Sequence, residues 1–479
     1  MKKIVSLLLC LLLAAEVMGG CAVTQPEPEE TQTQAATEPT VQTEPPRPDT
    51  LTVTIPDGEH GLMMVWLADF QKLHPHLTVE LKREPVEKYR RHLLVDVREG
   101  EGPDLALVNA RELGTFVQMG VGVDLSLYLS AERLADYDSG PLSHMSEDGV
   151  VYGLPVYAQV WGLGGSRELL EAAGVDIEGI QARGWDYPQF LEAMAAGTVE
   201  RSGSREKVWG FAFPNSEDAV ERFIRSFGAG AGLCHDFTRD CRYTMTSQNM
   251  LEFLQMAETM MESGDLYTEQ TSWEKCIKLG VSGKVTMAGC VTPLVEELVR
   301  RNNAALEAGS RDAIHGSRQT EFVFLPAPYM PGFPETSCGT VVGFMAIRNR
   351  SSTEEHLANT AMLLDFLSSG SRAADCVDFW YLEPLCQSGR EAVEMDEGRD
   401  PANMIAATRS ASFIAPPAHD VSRSLRENAD AIMDTIIAPG FLRLRSTSMT
   451  AQKLYDQICK AAFENIGREN CITDRIPME

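Results

Sequence analysis

Hydrophobic and polar positions alternate with two different periods in the N-terminal part of the chain after residue 50. Leu51–Ile55 alternates with period two and favours a strand, whereas apolar residues recur at helical spacing over Leu62–Leu73. The pattern continues with strands at Leu77–Leu81 and Asp104–Val108 and with helices at about Val86–Arg98 and Arg111–Met119. This strand–helix order predicts an open parallel sheet with helices packed on its faces.

Loops at the carboxyl ends of the strands are the expected place for a ligand in such a sheet. Two of these loops follow the first and the third predicted strand, at Pro56–Gly61 and Asn109–Glu112. The sequence therefore makes Glu59, Asn109 and Arg111 candidates for ligand contact.

Short motifs along the chain then resemble one known family. In chain order they are Phe70–Val79, Gly100–Asp104, Gly120–Leu125, Val151–Pro155, Gly283–Met287 and Phe322–Pro326. Val151–Pro155 is similar to a "YGLP" turn and Gly283–Met287 to a "GKAAM" segment. In this order and at these spacings, the chain resembles the extracellular solute-binding proteins of ABC importers, specifically the maltose/oligosaccharide-binding group known as family 1.

The resemblance implies an α/β, two-lobed periplasmic-binding-protein-like fold of type II. Open, parallel-rich sheets flanked by helices would form the lobes, and crossover strands would form the hinge. Lobe 1 is expected to comprise residues 51–129 and 286–335, and lobe 2 residues 130–285 and 336–479. A ligand that touches both lobes would favour the closed form, because only differential affinity shifts such a population.

Positions relative to strand ends, together with the resemblance, give the complete set of candidate ligand-binding residues. These are Glu59, Asn109, Arg111, Tyr157, Gln159, Trp161, Asn215, Glu217, Thr292, Tyr381 and His419. Each also has an ordinary structural interpretation that the sequence leaves open. Asn215 and Thr292 suit helix caps, and Trp161 suits the hydrophobic core. Glu59 and Arg111 suit solvated surface charges, and His419 suits a loop.

The first fifty residues predict export and attachment to a membrane. A basic start and a short apolar run make residues 1–20 a signal peptide, and the small residues before Cys21 resemble a lipobox. Cys21 is therefore expected to carry the lipid that anchors the protein at the extracytoplasmic face of the cell membrane. Residues 21–50, counted from the lipidated cysteine, are rich in Pro, Thr, Gln and Glu and predict a disordered acidic tether.

Composition and charge narrow the class of partner. Lys and Arg number 42 against 69 Asp and Glu, a formal net charge of −27, which disfavours nucleic acid. The sequence has no G-x-x-x-x-G-K-[ST] loop, so ATP hydrolysis would belong to partner subunits. Gly162–Ser166 has the wrong spacing for a nucleophile elbow, and no metal or cofactor motif occurs.

The predicted function is therefore that of a non-enzymatic, monomeric binding protein without cofactor or metal. It would capture a small polar solute, with a sugar or oligosaccharide as the expected ligand, and deliver it to ABC transporter permease subunits. Two alternatives stay open: a lipoprotein that reports its ligand to a membrane sensor, and a surface lipoprotein hydrolase. The aromatic residues typical of sugar sites are sparse, since the chain contains six Trp.

The cysteine content does not determine whether the cysteines form disulfides or stay as free thiols. The chain has eleven Cys, and nine remain when Cys10 and Cys21 are assigned to the signal peptide and the lipid anchor. An odd number excludes a complete set of disulfides in a monomer. The nearest pairs in sequence are Cys234 with Cys241 and Cys376 with Cys386, although buried free thiols explain the same residues.

Overall fold

The structure, a computed structural model, describes residues 47–200, 207–216, 219–377, 381–394, 399–418, 421–445 and 449–477, except for the side chains of residues 59, 60, 86, 87 and 445. The predicted signal peptide, Cys21 and nearly all of the tether lie outside the described residues, as do Glu217 and His419. Contacts join residues 48–479 into one compact unit.

Strands within the described residues are eleven in number. They are β1 (Asp49–Pro56), β2 (Leu77–Glu84), β3 (Leu105–Asn109), β4 (Ser146–Glu147), β5 (Val150–Val151), β6 (Gly153–Ser166), β7 (Val199–Glu200), β8 (Lys207–Ala212), β9 (Val285–Val291), β10 (Phe322–Leu325) and β11 (Cys338–Ala346). The short strands β4 and β5 form a separate two-stranded ribbon.

Helices pack around these strands. They are α1 (His60–Leu73), α2 (Val86–Glu99), α3 (Ala110–Gln118), α4 (Ala131–Leu134), α5 (Ser139–Ser143), α6 (Arg167–Ala172), α7 (Ile177–Arg183), α8 (Tyr187–Ala196), α9 (Val220–Gly228), α10 (Gln248–Glu262), α11 (Trp273–Val281), α12 (Val295–Glu307), α13 (Glu354–Ser368), α14 (Gly370–Asp375), α15 (Gln387–Ala392), α16 (Pro401–Ala411), α17 (Arg423–Ile432), α18 (Ala438–Leu442) and α19 (Ala451–Ala462). None of the described helices is both long enough and apolar enough to cross a bilayer.

The predicted parallel arrangement of the first three strands is confirmed. β1 pairs with β2 along its whole length and with β3 at Val53 and Thr54, both in parallel register. The buried side chains of β1 alternate with more exposed ones at its start, whereas Leu105–Val108 of β3 is buried at every position. Central parallel strands are covered on both faces, which explains the apolar run in β3.

The strand β6 belongs to two parts of one sheet. Its segment Gly153–Trp161 pairs with the antiparallel strand β11, and its segment Gly162–Ser166 pairs with β9 and β10. The register shifts between Gly162 and Leu163, where Cys290 on β9 is the extra residue with a φ of 57°. This feature is a β-bulge, which bends the strand and increases its twist.

The sheet is therefore mixed, and it divides naturally at β6. We call β2, β1, β3 and β11 with Gly153–Trp161 the first half-sheet, and β9, β8, β7 and β10 with Gly162–Ser166 the second half-sheet. The parallel contacts lie at β1–β2, β1–β3 and β8–β9, and the strands that join the halves are antiparallel. β9 and β10, from the segment 286–335 that was expected in lobe 1, pair with β6 beside β8.

Three clusters of buried side chains form the core. One lies around β1, α1 and α13, and a second, rich in aromatic rings, lies around α8, α9 and α10. In the second cluster the rings of Phe213 and Phe223 stack with centroids 3.9 Å apart. The third cluster includes Val108 of β3, Val160 of β6 and Val291 of β9, so apolar packing is continuous across both half-sheets.

Candidate functional site

A polar pocket of about 140 Å³ opens between the carboxyl end of β3 and two segments that come after α9 and before and within α17. Its lining residues are Arg111, His235, Asp236, Phe237, Pro417, Ala418, Val421, Arg426 and Asp430. Arg111 comes from the strand–helix loop that sequence pattern selected. The other lining residues come from the chain after α9 and from α17 with the segment before it.

Local hydrogen bonds fix the backbone beside Arg111. Asn109 is the N-cap of α3, and its Oδ1 accepts from the backbone N–H of Glu112 at 3.2 Å. In return, Glu112 Oε2 accepts from the backbone N–H of Asn109 at 3.0 Å. This capping box satisfies two helix-end donors and sets where α3 begins, with Arg111 in its first turn. Asn109 therefore positions Arg111, and its amide oxygen is already used by the helix.

On the facing wall, a buried arginine holds Asp236. Arg225 donates from Nη2 to Asp236 Oδ2 at 2.9 Å and from Nε to Glu221 Oε1 at 2.7 Å. These carboxylates raise the pKa of Arg225, although burial acts in the opposite direction. The second oxygen of Asp236, Oδ1, is buried and accepts no hydrogen bond from the residues that the structure describes. Asp236, a lining residue of the pocket, thus has one carboxylate oxygen without a hydrogen-bond partner among the described residues.

His235 forms a neutral part of the same wall. Its Nε2 lies 2.7 Å from the carbonyl oxygen of Ala415, and because a carbonyl only accepts, this nitrogen carries the proton. Burial lowers the pKa of His235 below the ordinary value, and the Ala415 bond offsets that effect only in part. The ring is therefore uncharged at pH 7.

The helix α17 supplies one charge of each sign. Arg426 and Asp430 are four residues apart on this helix, so they lie on the same face. Burial lowers the pKa of Arg111, and the nearby Arg426 and Arg90 lower it further. Burial and the negative charge of Asp236 raise the pKa of Asp430. The lining thus holds two guanidinium groups and two carboxylates, a balanced set of hydrogen-bond donors and acceptors.

The three candidates that follow the YGLP-like segment lie in the strand β6. Tyr157, Gln159 and Trp161 alternate along β6, face the same side and are partly buried. One face of the Trp161 ring is covered by the guanidinium of Arg222, 4.7 Å from the ring centroid, and the ring packs on the aromatic core cluster. These residues do not line the polar pocket in this structure.

Asn215 and Thr292 are placed by local structure. The Asn215 side chain is buried, accepts from the Thr271 backbone N–H at 2.7 Å and donates to the Glu269 carbonyl at 3.2 Å. It therefore ties two loops together. Thr292 precedes α12 and is partly buried, but the N-cap of α12 is Leu294, which has no capping side chain.

Tyr381 belongs to a different polar cluster. It is 3% exposed, has a φ of 54°, and donates its hydroxyl to Glu297 Oε2 at 2.5 Å. Burial and the Glu297 carboxylate raise the pKa of Tyr381 to about 12. The backbone of Glu59 lies in a 3₁₀ turn between β1 and α1, and its side chain is outside the described residues.

A second crevice, of about 30 Å³, lies between α11, α12 and the strands β6 and β9. Its walls are mostly glycine and aliphatic side chains, and its hydroxyls Thr320 and Ser166 hydrogen-bond to each other at 2.8 Å. Such a surface offers little to a polar solute. No group of three or more His, Cys, Asp or Glu suited to a metal ion occurs among the described residues.

Sequence patterns selected one residue of the pocket, Arg111, and missed the facing wall. His235, Asp236 and Phe237 follow the glycine-rich run at residues 228–232, which comes after a helix and not after a strand, unlike a dinucleotide-binding motif. Arg426 and Asp430 carry an i, i+4 charge pattern that is also typical of any solvated helix face. The pattern did not reveal that these segments face β3.

Comparisons with known proteins agree with this fold. The sequence model of the family described as bacterial extracellular solute-binding protein matches residues 56–234. The sugar-binding protein MalE from Xanthomonas citri superposes with a TM-score of 0.65 over 88% of this chain and 98% of that chain, at 15% identity. Structures of this kind are two-lobed, periplasmic-binding-type proteins.

Relatives found by sequence are matched over shorter segments. A protein of Brucella abortus (strain 2308) that carries the name of a binding protein is 24% identical over 242 residues, which are 50% of this chain and 56% of that protein. An arabinooligosaccharide-binding protein of Halalkalibacterium halodurans is 31% identical over 121 residues, which are 25% of this chain and 26% of that protein. The chain thus spans little more than half the length of the first relative. The family match over residues 56–234 and the fold agree with the resemblance seen in the motifs: this part of the chain is similar to the bacterial extracellular solute-binding proteins, and the whole has their fold.

Proposed function

We propose that this protein captures a small neutral polar solute, with a sugar or oligosaccharide as the preferred class, in the pocket that contains Arg111. The solute would then pass to the permease subunits of an ABC importer. The ATP hydrolysis would occur in partner subunits, and this chain would act by binding alone. The family match over residues 56–234 supports the binding role, and similar proteins named for arabinooligosaccharide and sugar binding support the ligand class.

The observation that carries the proposal is the buried, unused acceptor at Asp236. Buried polar atoms are nearly always hydrogen-bonded, so each exception calls for an explanation, and among the lining residues of this pocket Asp236 Oδ1 is the exception. A sugar hydroxyl that donates to Asp236 Oδ1 would supply it. The same sugar could accept from Arg111 and Arg426, because a hydroxyl both donates and accepts.

Closure around the solute would act through the strands that join the half-sheets. Arg111 comes after β3 of the first half-sheet, whereas Asp236 comes after β8 of the second, so a solute that touches both residues would be held by both half-sheets. Moving a two-state equilibrium from mostly open to mostly closed requires about 5.5 kcal/mol of differential affinity. The proposed lobes would then be related by bending within β6 and β11.

Attachment and location follow the family and the N-terminal sequence. We propose that residues 1–20 direct export, that Cys21 is lipidated, and that residues 21–50 hold a monomeric binding body at the extracytoplasmic face of the membrane. Two or more acyl chains are sufficient for stable attachment. No nucleic acid is expected as a partner, since the chain carries a formal charge of −27.

Calorimetric titration tests the ligand and its site together. We expect a malto- or arabino-oligosaccharide from a neutral panel to bind, and Arg111→Gln to weaken that binding by about 10- to 100-fold, since a hydrogen bond to a charged group contributes about 1.5–3 kcal/mol. Arg423→Gln is the matched control, because Arg423 is 92% exposed on α17 and lies outside the pocket lining.

Equal loss of affinity in the Arg111 and Arg423 variants would argue against this pocket as the site. A thermal-shift screen complements the titration, since a ligand at 100 times its Kd stabilises the folded protein by about 2.7 kcal/mol. If no sugar, peptide or polyamine in the screen raises the Tm, the solute-binding proposal is wrong.

A further inference from the structure

Two thiols that are distant in sequence meet beside the pocket. Cys234 immediately precedes the pocket residue His235, and Cys338 is the first residue of β11. The thiol of Cys338 hydrogen-bonds to Cys234, whose sulfur also accepts from the backbone N–H of Gly339. Cys234 is 4% exposed, and Cys338 is partly exposed.

The backbone on either side of these thiols is fixed to one short segment, residues 413–415. His235, next to Cys234, donates to the Ala415 carbonyl at 2.7 Å. Ser337, next to Cys338, donates its backbone N–H to the Phe413 carbonyl at 2.9 Å. The two cysteines are thus held near each other by main-chain anchors as well as by their own contact.

The thiols of three other cysteines that are near a second cysteine in sequence hydrogen-bond to backbone carbonyls. Cys241 donates to the Arg239 carbonyl at 3.8 Å, and Cys376 donates to the Arg372 carbonyl at 3.6 Å. Cys386 donates to the Ser368 carbonyl at 3.8 Å. All nine cysteines in the described residues are free thiols in this structure, including the two beside the pocket.

We propose that Cys234 and Cys338 form a reversible disulfide by exchange with a small disulfide oxidant such as oxidised glutathione. One cysteine thiolate attacks a sulfur of the oxidant, which gives a mixed disulfide and releases one reduced thiol. The other cysteine thiolate then attacks the mixed disulfide, which forms the Cys234–Cys338 bond and releases the second thiol. The two cysteines are oxidised by two electrons, the oxidant is reduced by two, and the two cysteine protons pass to the released thiols.

Local charge indicates which cysteine ionises first. The hydrogen bond from Cys338 lowers the pKa of Cys234, and the charge of Arg225 and the Gly339 N–H add to this against the effect of burial. The same shared proton and burial raise the pKa of Cys338 well above the ordinary value. Thiolate is the reactive form, so Cys234 is the nucleophile that the surroundings favour.

The bond would join the pocket wall to β11, the neighbour of the strand β6 that links the half-sheets. Residues 235–237 line the pocket directly after Cys234, and Cys338 pairs with Trp161 at the end of the β11–β6 ladder. A disulfide between segments so far apart in the chain constrains the unfolded state strongly. The inference concerns the thiols and does not depend on which solute the pocket takes.

Peptide mapping of the native full chain tests the inference. After incubation with oxidised glutathione, we expect two free thiols to be lost and a single cross-linked peptide pair containing Cys234 and Cys338. We also expect the Tm to rise by several degrees, and dithiothreitol to reverse each change. Cys338→Ser should abolish the cross-link, whereas Cys241→Ser, which removes the sequence-adjacent partner of Cys234, should leave it intact.

Oxidation of the wild-type protein is sufficient to test whether the Cys234–Cys338 disulfide forms. The test therefore does not depend on whether a variant folds. An unchanged thiol count in the native protein, a stable mixed disulfide with glutathione, or a cross-link from Cys234 to Cys241 would each overturn the inference. Ligand titration of the oxidised and reduced forms is independent of that outcome, and solute binding stands or falls separately.

Discussion

His356 joins the start of β1 to the start of β3 through two carboxylates. Its Nδ1 lies 3.0 Å from Asp49, and its Nε2 lies 2.8 Å from Asp104, which is 2% exposed. Asn349 donates to Asp104 at 2.8 Å, and Asn359 donates to Asp49 at 2.9 Å. A doubly protonated imidazole donates to both acids at once, so this cluster favours the charged form.

His356 should make the free energy of unfolding of the protein fall at alkaline pH. The hydrogen bond to Asp104, opposed by burial and supported by Asp49, raises the pKa of His356 to about 9 from an ordinary 6.5. A raised folded-state pKa stabilises the protein fully below pH 6.5, and that stabilisation is lost as the pH rises through 9. Urea unfolding should show His356→Gln to be less stable by about 1–2 kcal/mol at pH 7, after screening by solvent, and the difference should shrink by pH 10.

The exposed His315 provides the matched control for that experiment. His315→Gln should leave the free energy of unfolding close to wild type at both pH values, because surface substitutions usually change it by less than about 0.5 kcal/mol. A difference between wild type and His356→Gln that stays constant from pH 7 to pH 10 would contradict the proposed titration.

The capping box of α3 links a helix end to the pocket. Asn109→Ala removes the oxygen that accepts from Glu112 and should lower the free energy of unfolding by about 1 kcal/mol. It should also weaken solute binding, because Arg111 lies in the turn that the cap fixes. Asn109→Asp retains an acceptor oxygen and should restore stability. Chemical unfolding together with titration separates the two effects, and equal behaviour of the two variants would exclude capping as the cause.

The strand β11 contacts β6 so closely that Gly339 has no room for a side chain. A Cβ at Gly339 would lie 2.3 Å from the Gln159 carbonyl oxygen and 2.5 Å from Ile414 Cδ1. Gly339→Ala should therefore destabilise the protein by about 1–3 kcal/mol or more in chemical unfolding, as overpacking does. Gly280→Ala, inside α11 with nothing near its Cβ position, should instead stabilise by about 0.5–1 kcal/mol. Equal effects of the two changes would show that the close approach is absent.

The local hydrophobic pattern predicted individual strands and helices well, but it did not predict which strands pair with each other. The expected strand Leu51–Ile55 and helix Leu62–Leu73 lie within β1 and α1, because hydrophobic period is a local property. The role of β6 was not foreseen, since its fourteen residues read as a turn followed by an apolar stretch. Pairing between β6 and β11 joins residues about 180 positions apart, and nothing in either segment specifies the other.

For the whole protein, attachment and binding should be separable. Cys21→Ala removes the predicted lipid site and should release the protein from membranes without changing its affinity for solute, because the pocket lining in the described residues begins at Arg111. Fractionation and titration of the released protein measure the two properties. A variant that still sediments with membranes would show that another feature holds it there.

At the scale of the whole molecule, the candidate site could be predicted from the sequence only in part. Arg111 could be selected because strand ends in parallel sheets are general ligand positions. Asp236 and Arg426 could not, because their place opposite Arg111 depends on how segments more than a hundred residues apart pack together. Motif resemblance supplied the architecture that local periodicity lacks, while side-chain placement required the folded chain.

The continuous strand β6 carries a consequence for any attempt to take the protein apart. Because it hydrogen-bonds to β11 on one stretch and to β9 and β10 on the next, no cut through the sheet leaves two finished modules. An excised fragment would end in unpaired strand edges, which recruit other chains and aggregate. The two half-sheets must therefore be expressed and engineered together, within one chain.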